Sequence, residues 1–322
     1  MKKLFLTASL MLLLTPVLAL AQSAFDGTWK IDMNKAEFPK KPDVYLLQNG
    51  MYECKTCAPP IKIKADGQDQ TVAGHPYYDT MAIKVISDRE VEETDKKNGK
   101  TVATSKTAVS PDGNTMTFEF SDSSNTNAAP VTGKGEETRV AKGPAGSNAI
   151  SGSWRIAKFE TLSDNAITWT YKVSGDELTM TTPTGQSYTA KLNGVEAPFK
   201  GDPGTTGVSV KMRGKDTLEE TDKRGDKVLS VSKMTLDPDG KTAKIMVDDK
   251  LHGTTSQFVA VKQQVLFRSH PSRRRRVGIE RPAPSIWGCR RFFWFAERQT
   301  QLSRPAFYSN PLGLRGADRS GN

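Results

Sequence analysis

Apolar and polar residues alternate with a period of two along much of this chain, and the alternation is interrupted by short turn sequences. In the latter part of residues 228–236 every second side chain is apolar, and the pattern resumes over residues 242–247 after Asp237-Pro238-Asp239-Gly240. Proline fixes φ at the second turn position, and Asp-Gly accepts the positive φ that follows. This stretch predicts a β-hairpin, and residues 106–120 around Ser110-Pro111-Asp112-Gly113 predict another.

The rest of the chain up to residue 263 is organised in the same way. After the first 21 residues, no stretch keeps the 3.6-residue period of a helix for more than about two turns. Short strands that recur about every 8–12 residues predict an antiparallel sandwich or barrel, and a barrel is favoured because closure removes unpaired edges. We therefore predict an all-β fold of antiparallel up-and-down β-barrels, with further strands at residues 61–64, 81–86, 169–173, 177–182, 188–192 and 208–212.

These elements occur twice, because the chain repeats itself at an offset of about 126 residues. Phe25-Asp26-Gly27-Thr28-Trp29-Lys30-Ile31 returns as Ile150-Ser151-Gly152-Ser153-Trp154-Arg155-Ile156, and residues 92–96 return unchanged as residues 219–223. An offset of that length is a domain rather than a solenoid unit, so each repeat is expected to fold by itself. We predict two tandem barrels, with the first repeat over residues 22–143, a linker over 144–149 and the second repeat over 150–263.

Residues 1–21 have the pattern of a signal peptide. Lys2 and Lys3 precede an apolar run that ends in the small residues of Ala19-Leu20-Ala21, where a signal peptidase would cleave. A retained membrane anchor is the alternative, but the run is short for a bilayer span. No other stretch is apolar enough to span a bilayer, so we expect a periplasmic or extracellular protein without a membrane span after cleavage.

The composition changes abruptly in residues 264–322. This tail has 12 Arg and no Lys, whereas residues 22–263 have 27 Lys and five Arg. It shows neither strand nor helix periodicity, and Leu266-Phe267-Arg268-Ser269 is what the end of a common sequencing adapter would encode. We interpret the tail as disordered or artefactual, not as part of the natural protein. The alternative is a basic and aromatic patch around Arg273-Arg274-Arg275-Arg276 for nucleic acid or lipid.

The excess positive charge belongs to the two ends of the chain. Residues 22–263 have 32 basic and 33 acidic residues, so the predicted folded part is close to neutral. The net charge of +10 is therefore no argument that the folded part binds nucleic acid or an anionic membrane.

Each repeat opens with Gly-x-Trp on its first predicted strand, as Gly27-Thr28-Trp29 and Gly152-Ser153-Trp154. With the β-meander that follows, this pattern resembles the calycin group, which contains the lipocalin-like and fatty-acid-binding barrels. The resemblance implies that Trp29 and Trp154 close one end of each barrel and that a small apolar ligand sits at the open mouth. Residues 1–263 are also similar to uncharacterised secreted proteins of soil bacteria, a resemblance that implies no activity.

Cys54-Lys55-Thr56-Cys57 occurs only in the first repeat. In an exported protein such a pair is expected to form a disulfide. A thiol oxidoreductase would place the pair at the start of a helix, but here the context is strand and Pro59-Pro60. A zinc site would need two more ligands, and none has ligand spacing. Redox and metal functions remain the alternatives to a structural disulfide.

Residues 74–79 form a loop with His75, Tyr77, Tyr78 and Asp79. It also distinguishes the first repeat, because the corresponding Gly201-Asp202-Pro203-Gly204 has no histidine or tyrosine. We predict this loop as a candidate site for a small polar ligand or a metal. The alternative is a turn whose aromatic rings cover one end of a barrel, because a lone histidine rarely decides function.

Residues 92–96 and 219–223 carry paired acids. Alternation places Glu92 and Thr94 on one face of a strand, and Glu93 and Asp95 on the other. Because Lys and Gly follow the acids, we interpret both segments as solvated hairpin ends. We assign no catalytic residue, metal or cofactor, since the chain has no nucleophile elbow, phosphate loop or dinucleotide motif.

Three functions remain open. The first is an exported non-catalytic protein of two lipocalin-like barrels that bind a small hydrophobic ligand. The second is an envelope-associated interaction module with filled barrels. The third is a thiol- or histidine-dependent enzyme centred on the first repeat.

Overall fold

A computed structural model of the chain describes residues 23–125 and 128–264, so the predicted signal peptide and all of the Arg-rich tail after Gln264 lie outside the described residues. The described part contains 20 β-strands, two single-turn 3₁₀ helices and no α-helix. In chain order the strands are β1 (Gly27–Ile31), β2 (Asp43–Gln48), β3 (Met51–Cys54), β4 (Ile61–Lys64), β5 (Gln70–Thr71), β6 (Thr80–Ser87), β7 (Glu90–Lys97), β8 (Lys100–Val109), β9 (Thr115–Asp122), β10 (Val131–Lys142), β11 (Gly152–Leu162), β12 (Thr168–Ser174), β13 (Glu177–Thr181), β14 (Ser187–Lys191), β15 (Asn193–Pro198), β16 (Gly207–Arg213), β17 (Thr217–Arg224), β18 (Lys227–Leu236), β19 (Thr242–Asp249) and β20 (Thr254–Lys262).

These strands form two nearly closed antiparallel sheets of ten strands each, which confirms the predicted all-β fold with two barrels. In one sheet, which we call the N-barrel, the order is β4-β3-β2-β11-β10-β9-β8-β7-β6-β5. In the other, the C-barrel, it is β14-β13-β12-β1-β20-β19-β18-β17-β16-β15. Single bridges between Asp66 and Lys84 and between Ser187 and Lys200 bring the two edges of each sheet together.

The two barrels exchange their first strands. The Trp strand of the first repeat, β1, pairs with β12 and β20 in the C-barrel. The Trp strand of the second repeat, β11, pairs with β2 and β10 in the N-barrel. The prediction that each repeat folds by itself therefore differs from the structure in this strand. The predicted linker at residues 144–149 is the connection between β10 and β11 inside the N-barrel, not a boundary between two sheets.

Strand length explains the exchange. β1 ends at Ile31 because Asp32 caps a 3₁₀ turn, its carboxylate accepting from the Asn34 amide at 3.1 Å. The second repeat has Ala157 at the position of Asp32, and β11 continues to Leu162. A strand of 11 residues can pair along the whole of the preceding β10, whereas β1 has only five residues. The β10–β11 hairpin is also a local contact, which costs little loop-closure entropy.

The two barrels share a hydrophobic wall. The far ends of β9, β10 and β11 extend past the N-barrel, where Val131 is fully buried in the core of the C-barrel. Phe120, Phe159 and Leu162 pack against the same core. Phe38, in the segment between β1 and β2, packs against the same core, and its ring centroid lies 5.6 Å from that of Phe159. Such packing makes the described part a continuous structure in which each core depends on residues of both repeats.

The predicted hairpins are present at both Pro-Asp-Gly turns. The Gly113 amide donates to the Ser110 carbonyl and the Gly240 amide to the Asp237 carbonyl, each at 2.9 Å. Both glycines have positive φ, 76° and 64°, which is the conformation that the sequence predicted.

Candidate functional site

Cys54 and Cys57 form the predicted disulfide, with an S–S distance of 2.12 Å and both residues buried. Cys54 is the last residue of β3, and Cys57 lies in the turn that follows. The pair does not stand at a helix N-terminus, where a helix dipole would lower a thiol pKa and favour exchange chemistry. The disulfide links the end of β3 to the turn that leads to β4.

The predicted binding loop lies inside the packing of the N-barrel. His75 is buried, its ring stacks on that of Tyr78 with centroids 4.7 Å apart, and its Nδ1 lies 3.1 Å from the Tyr78 hydroxyl. Tyr77 and Tyr78 belong to the N-barrel core. The carboxylate of Asp79 accepts from the Asn98 amide at 2.9 Å. The structure therefore brings His75 and Tyr78 together, while Tyr77 and Asp79 contact other segments.

Tyr77 joins this loop to the corresponding loop of the second repeat. Its hydroxyl donates to Asp202 Oδ1 at 3.0 Å, and the same oxygen accepts from the Gly204 amide at 2.7 Å. A Cβ added at Gly204 would lie 1.8 Å from the Tyr77 hydroxyl, so only glycine allows this approach. The two loops that sequence comparison aligns are thus in direct contact.

Trp29 and Trp154 occupy matching positions in the two barrels. Both indoles are fully buried, and each Nε1 donates to a carbonyl four residues earlier, that of Phe25 or Ile150, at 2.8 Å. The guanidinium of Arg139 lies 3.9 Å from the Trp154 ring, and the ammonium of Lys262 lies 4.9 Å from the Trp29 ring. Each barrel therefore has a cation over its tryptophan, contributed by a strand that pairs with the Trp strand, β10 for Arg139 and β20 for Lys262.

The paired acids are not at solvated hairpin ends, and that interpretation is wrong. On β7 the side chains of Val91, Glu93 and Asp95 are buried and alternate with more exposed residues. On β17 Glu220 and Asp222 are buried in the same way. Period-two alternation correctly placed Glu93 and Asp95 on the same face of the strand. That face also carries Val91 and points into the barrel, not toward solvent.

Glu93 lines a cavity of about 50 Å³ inside the N-barrel. The aromatic residues that face this cavity are Tyr45, Tyr52, Phe118 and Phe120. The polar ones are Glu93, Ser105, Thr107 and Glu137. The residues that line it do not include His75, Tyr77, Tyr78 or Asp79, so the predicted loop and this cavity are separate features.

Two glycines of β10 make room for the aromatic wall of the cavity. Gly133 pairs with Phe120 and Gly135 with Phe118 across the β9–β10 ladder. A Cβ at Gly133 would lie 2.4 Å from the Phe120 ring, and one at Gly135 would lie 2.5 Å from the Phe118 ring. The rings therefore lie over the bare backbone of β10, as happens where glycine in a strand permits close approach.

Glu137, the next inward residue of β10, is the most unusual group of the cavity. It is 6% exposed, and its Oε2 has no hydrogen-bond partner among residues 23–125 and 128–264. Burial raises the pKa of Glu137 well above its usual range, and the negative charge of Asp43 raises it further. A carboxyl in this position favours its neutral form until a donor or a cation reaches it.

The surroundings of Tyr52 show the same excess of negative charge. Burial raises the pKa of the Tyr52 phenol well above its usual value, and the charges of Glu93, Asp95, Glu137 and Asp43 raise it further, in that order. Four carboxyl groups from β2, β7 and β10 therefore act on one phenol of β3.

Strand register shows what the C-barrel has at the corresponding positions. Trp154 pairs with Asp43 in the N-barrel, and Trp29 pairs with Trp169 in the C-barrel, so Trp169 replaces Asp43. Ile31 pairs with Ala260, which stands where the N-barrel has Glu137.

The same comparison extends to two more cavity residues. Thr107 faces Val91 across its ladder, and Met234 faces the equivalent Leu218. Tyr52 pairs with Leu47, the third inward residue of β2, and Leu178 pairs with Val173, which has the same position on β12. Leu178 therefore replaces Tyr52. The C-barrel thus has Trp, Ala, Met and Leu at the positions of Asp43, Glu137, Thr107 and Tyr52.

In the C-barrel, the acids that correspond to Glu93 and Asp95 accept hydrogen bonds from hydroxyl groups. The Tyr188 hydroxyl donates to Glu220 Oε2 at 2.5 Å, and the Ser230 hydroxyl donates to Asp222 Oδ2 at 3.1 Å. Tyr188 stands on β14 opposite Met180, so its phenol reaches the acid from the edge of the sheet. Glu220 and Asp222 therefore each have a hydroxyl donor from within the C-barrel.

Sequence reasoning missed Asp43, Tyr52 and Glu137 as site residues. The signal for Glu137 was present, because Val131, Gly133, Gly135, Glu137 and Arg139 alternate along one strand. Extending that alternation inward would have placed an acid inside the barrel. Asp43 had no such signal, because its position opposite Trp154 follows from the strand exchange.

Within the described residues, no three His, Cys, Asp or Glu side chains are arranged to hold a metal ion. The described part of the chain also contains no helix that is long and apolar enough to cross a membrane. No family model matches the chain, and a comparison with curated proteins finds no significant match.

Proposed function

We propose that this chain is an exported, non-catalytic binding protein whose N-barrel holds a small ligand in its internal cavity. The observation that carries the proposal is the cavity itself, which is lined by aromatic rings together with carboxyl and hydroxyl groups. Binding sites in proteins combine apolar walls with a few convergent polar groups in this way. Export is supported by the signal-peptide pattern of residues 1–21 and by a buried disulfide.

The size of the cavity narrows the ligand. Sites for drug-sized molecules have volumes of about 300–1,000 Å³. A cavity of about 50 Å³ holds a molecule of only a few heavy atoms. The ligand we propose is therefore much smaller than the fatty acids and other large apolar ligands that the calycin resemblance implies.

The C-barrel serves as the structural partner in this proposal. Trp169, Leu178 and Met234 are buried side chains at positions where the N-barrel has cavity or acidic residues. They fill the interior with apolar atoms, so the binding role falls to the N-barrel.

The test is to identify small molecules that leave the protein on unfolding. The full chain would be purified from its host without denaturation, then heated, and the released molecules analysed by NMR and mass spectrometry. The matched variant is Thr107→Met, which introduces the C-barrel residue and fills the cavity. We expect a small molecule released from wild type and lost from Thr107→Met. A lipid released from both proteins, or no difference between them, would contradict the proposal.

An interaction module is the second candidate, and the apolar filling of the C-barrel favours it. Under this alternative the protein binds its partner through its surface, and the cavity takes no part in binding. Proteins cross-linked to the chain in its host would then be the same for wild type and Thr107→Met. A cross-linked partner that disappears with Thr107→Met would instead tie the partner to the cavity.

A further inference from the structure

We propose that the N-barrel cavity takes a small alkylammonium ion, held by Glu93 and Glu137 and faced by the rings of Tyr45, Tyr52 and Phe118. This inference rests on the proposed binding function and adds the charge and chemical class of the ligand. It follows from the groups that line the cavity, from those that stand behind them, and from the space available.

The lining of the cavity has two carboxyl groups and no basic group. Its residues include two glutamates but no Lys, Arg or His. Glu137 Oε2 is buried without a donor in the part of the chain that the structure describes. A buried carboxyl group without a partner is costly, and an ammonium group supplies up to three donors and the opposite charge.

The charges behind the lining also favour a cation. Asp43 and Asp95 are buried in the same barrel and act electrostatically on Tyr52 together with the two glutamates. The guanidinium of Arg139, two residues beyond Glu137 on β10, donates to the carbonyls of Gly113, Ala149 and Ser151. Arg139 also stacks on Trp154, so its donors are directed at backbone oxygens.

The aromatic rings suit the remainder of such a ligand. Tyr45 and Tyr52 stack with centroids 6.3 Å apart, and Phe118 lies on the glycine backbone of β10. Ring faces attract cations and accept alkyl groups, which is why aromatic residues recur in ammonium-binding sites. The volume of about 50 Å³ limits the alkyl part to about one to three carbon atoms.

Ligand binding should be linked to proton release. Glu137 is the group expected to titrate. Asp43 acts on it, Glu93 and Asp95 act together with it on Tyr52, and Arg139 lies two residues further along its strand. Free protein keeps Glu137 protonated above the usual pH range of a glutamate, and a bound cation favours the carboxylate. Binding of a cation should therefore release up to about one proton in that pH window.

The experiment uses the full chain and three probes: ethylammonium, its neutral analogue ethanol, and potassium ion. Saturation-transfer NMR would measure binding of ethylammonium and ethanol, and calorimetry would measure binding of all three probes. We expect ethylammonium to bind at least about tenfold more tightly than ethanol or potassium, because only ethylammonium combines the charge with an alkyl group. Calorimetry of wild type in two buffers of different ionisation enthalpy should show the released proton.

The variant that tests the role of the carboxyl is Glu137→Gln, which keeps the shape of the side chain. Its matched control is Glu92→Gln, on the outward face of β7, where the native carboxylate lies 3.4 Å from the Lys84 ammonium. We expect Glu137→Gln to weaken ethylammonium binding at least about tenfold and to abolish proton release, and Glu92→Gln to change neither. Circular dichroism would establish that both variants keep the fold.

Three results would overturn the inference. They are equal binding of ethanol and ethylammonium, unchanged ethylammonium binding in Glu137→Gln, and absence of ethylammonium binding to wild type. Failure of the inference and failure of the proposed function are distinguishable. If ethanol binds to wild type and not to Thr107→Met, the cavity binds small molecules and only the assigned charge of the ligand is wrong.

Discussion

The N-barrel and the C-barrel have the same antiparallel order of ten strands, the same buried tryptophan under a cation, and the same pair of inward acids on corresponding strands. They differ in what surrounds those acids. In the C-barrel Tyr188 donates to Glu220, and Trp169 and Met234 fill the interior. In the N-barrel Asp43 and Glu137 add two further acids.

This difference separates the barrel proposed to bind a ligand from the barrel with the more apolar interior. Residues that both barrels share include the buried tryptophans and the inward acids of β7 and β17. The N-barrel retains polar residues where the C-barrel shows that apolar ones fit. Buried acids reduce stability unless they are satisfied, so the additional acids of the N-barrel agree with the binding role proposed for it.

Truncation of a buried tryptophan should give the largest effect. Trp29→Ala and Trp154→Ala each remove a fully buried indole, and we expect each to lower the free energy of unfolding by about 3–5 kcal/mol. Because β1 belongs to the C-barrel, Trp29→Ala should increase hydrogen exchange first in β12 and β20. Trp154→Ala should do so first in β2 and β10.

Urea unfolding would give the energies, and exchange mass spectrometry would locate the loosened strands. If Trp29→Ala loosened β2 and β10 instead, the strand exchange would be wrong and each repeat would fold by itself. The two variants serve as controls for each other because the residue and the change are the same.

Ala260→Glu transfers the N-barrel acid into the filled C-barrel. Ala260 is fully buried in the hydrophobic core of the C-barrel, so the added carboxyl would be placed among apolar side chains. We expect a loss of about 3 kcal/mol at pH 7, with part recovered at pH 4, where the carboxyl is protonated. Unfolding in urea at both pH values would measure this. A variant as stable as wild type at pH 7 would show that the C-barrel also accommodates a buried acid.

The sequence predicted the strands and hairpins well because their signals are local. Period-two alternation and Pro-Asp-Gly turns placed β8, β9, β18 and β19 correctly, and the Cys-x-x-Cys spacing predicted the disulfide. The exchange of β1 and β11 depends on pairing across more than 100 residues, for which two nearly identical Trp strands are interchangeable by pattern.

The candidate site was predicted less well, for a related reason. His75 and Tyr78 are conspicuous in sequence, but their side chains are used in packing. Glu137 is one of several polar residues in its strand, and its raised pKa depends on burial beside Asp43, which the sequence does not show. Which face of a strand is inside depends on closure of the whole barrel.

Removal of the disulfide should reduce stability by a smaller amount. Cys54→Ser with Cys57→Ser opens a ring of only a few residues, so we expect a loss of at most about 2 kcal/mol. The C-barrel has Met180 at the position of Cys54, so its corresponding strand forms without a disulfide. Unfolding of the variant and of reduced wild type should agree. A loss much greater than about 2 kcal/mol would indicate a role beyond ring closure.

Glu137→Ala, the C-barrel residue in the N-barrel, should change how stability depends on pH. The pKa of Glu137 is raised in the folded protein, so its contribution to stability is present below the unfolded value of about 4.3 and is lost as pH rises through the folded value. Removing the carboxyl should flatten the decline above about pH 4.3 by up to about 1.4 kcal/mol per pH unit.

Urea titrations at several pH values between about 4 and 8 would measure that slope. Glu92→Ala, on the outward face of β7, is the control and should keep the wild-type slope. A Glu137→Ala slope equal to that of wild type would mean that this carboxyl has the same proton affinity folded and unfolded.

The smallest effect should come from the contact that joins the two repeats. Tyr77→Phe removes one donor from Asp202, which keeps the amides of Gly204 and Thr205 at 2.7 and 3.2 Å, so we expect a loss of about 1 kcal/mol. A double-mutant cycle with Asp202→Asn would measure the coupling energy, expected near 0.5–1.5 kcal/mol. The control cycle uses Tyr78→Phe, whose hydroxyl lies 3.1 Å from His75 Nδ1 in its own loop. Coupling of Asp202 to Tyr77 but not to Tyr78 would show that the barrels are joined through this hydroxyl, whereas additive losses would make them energetically independent at this contact.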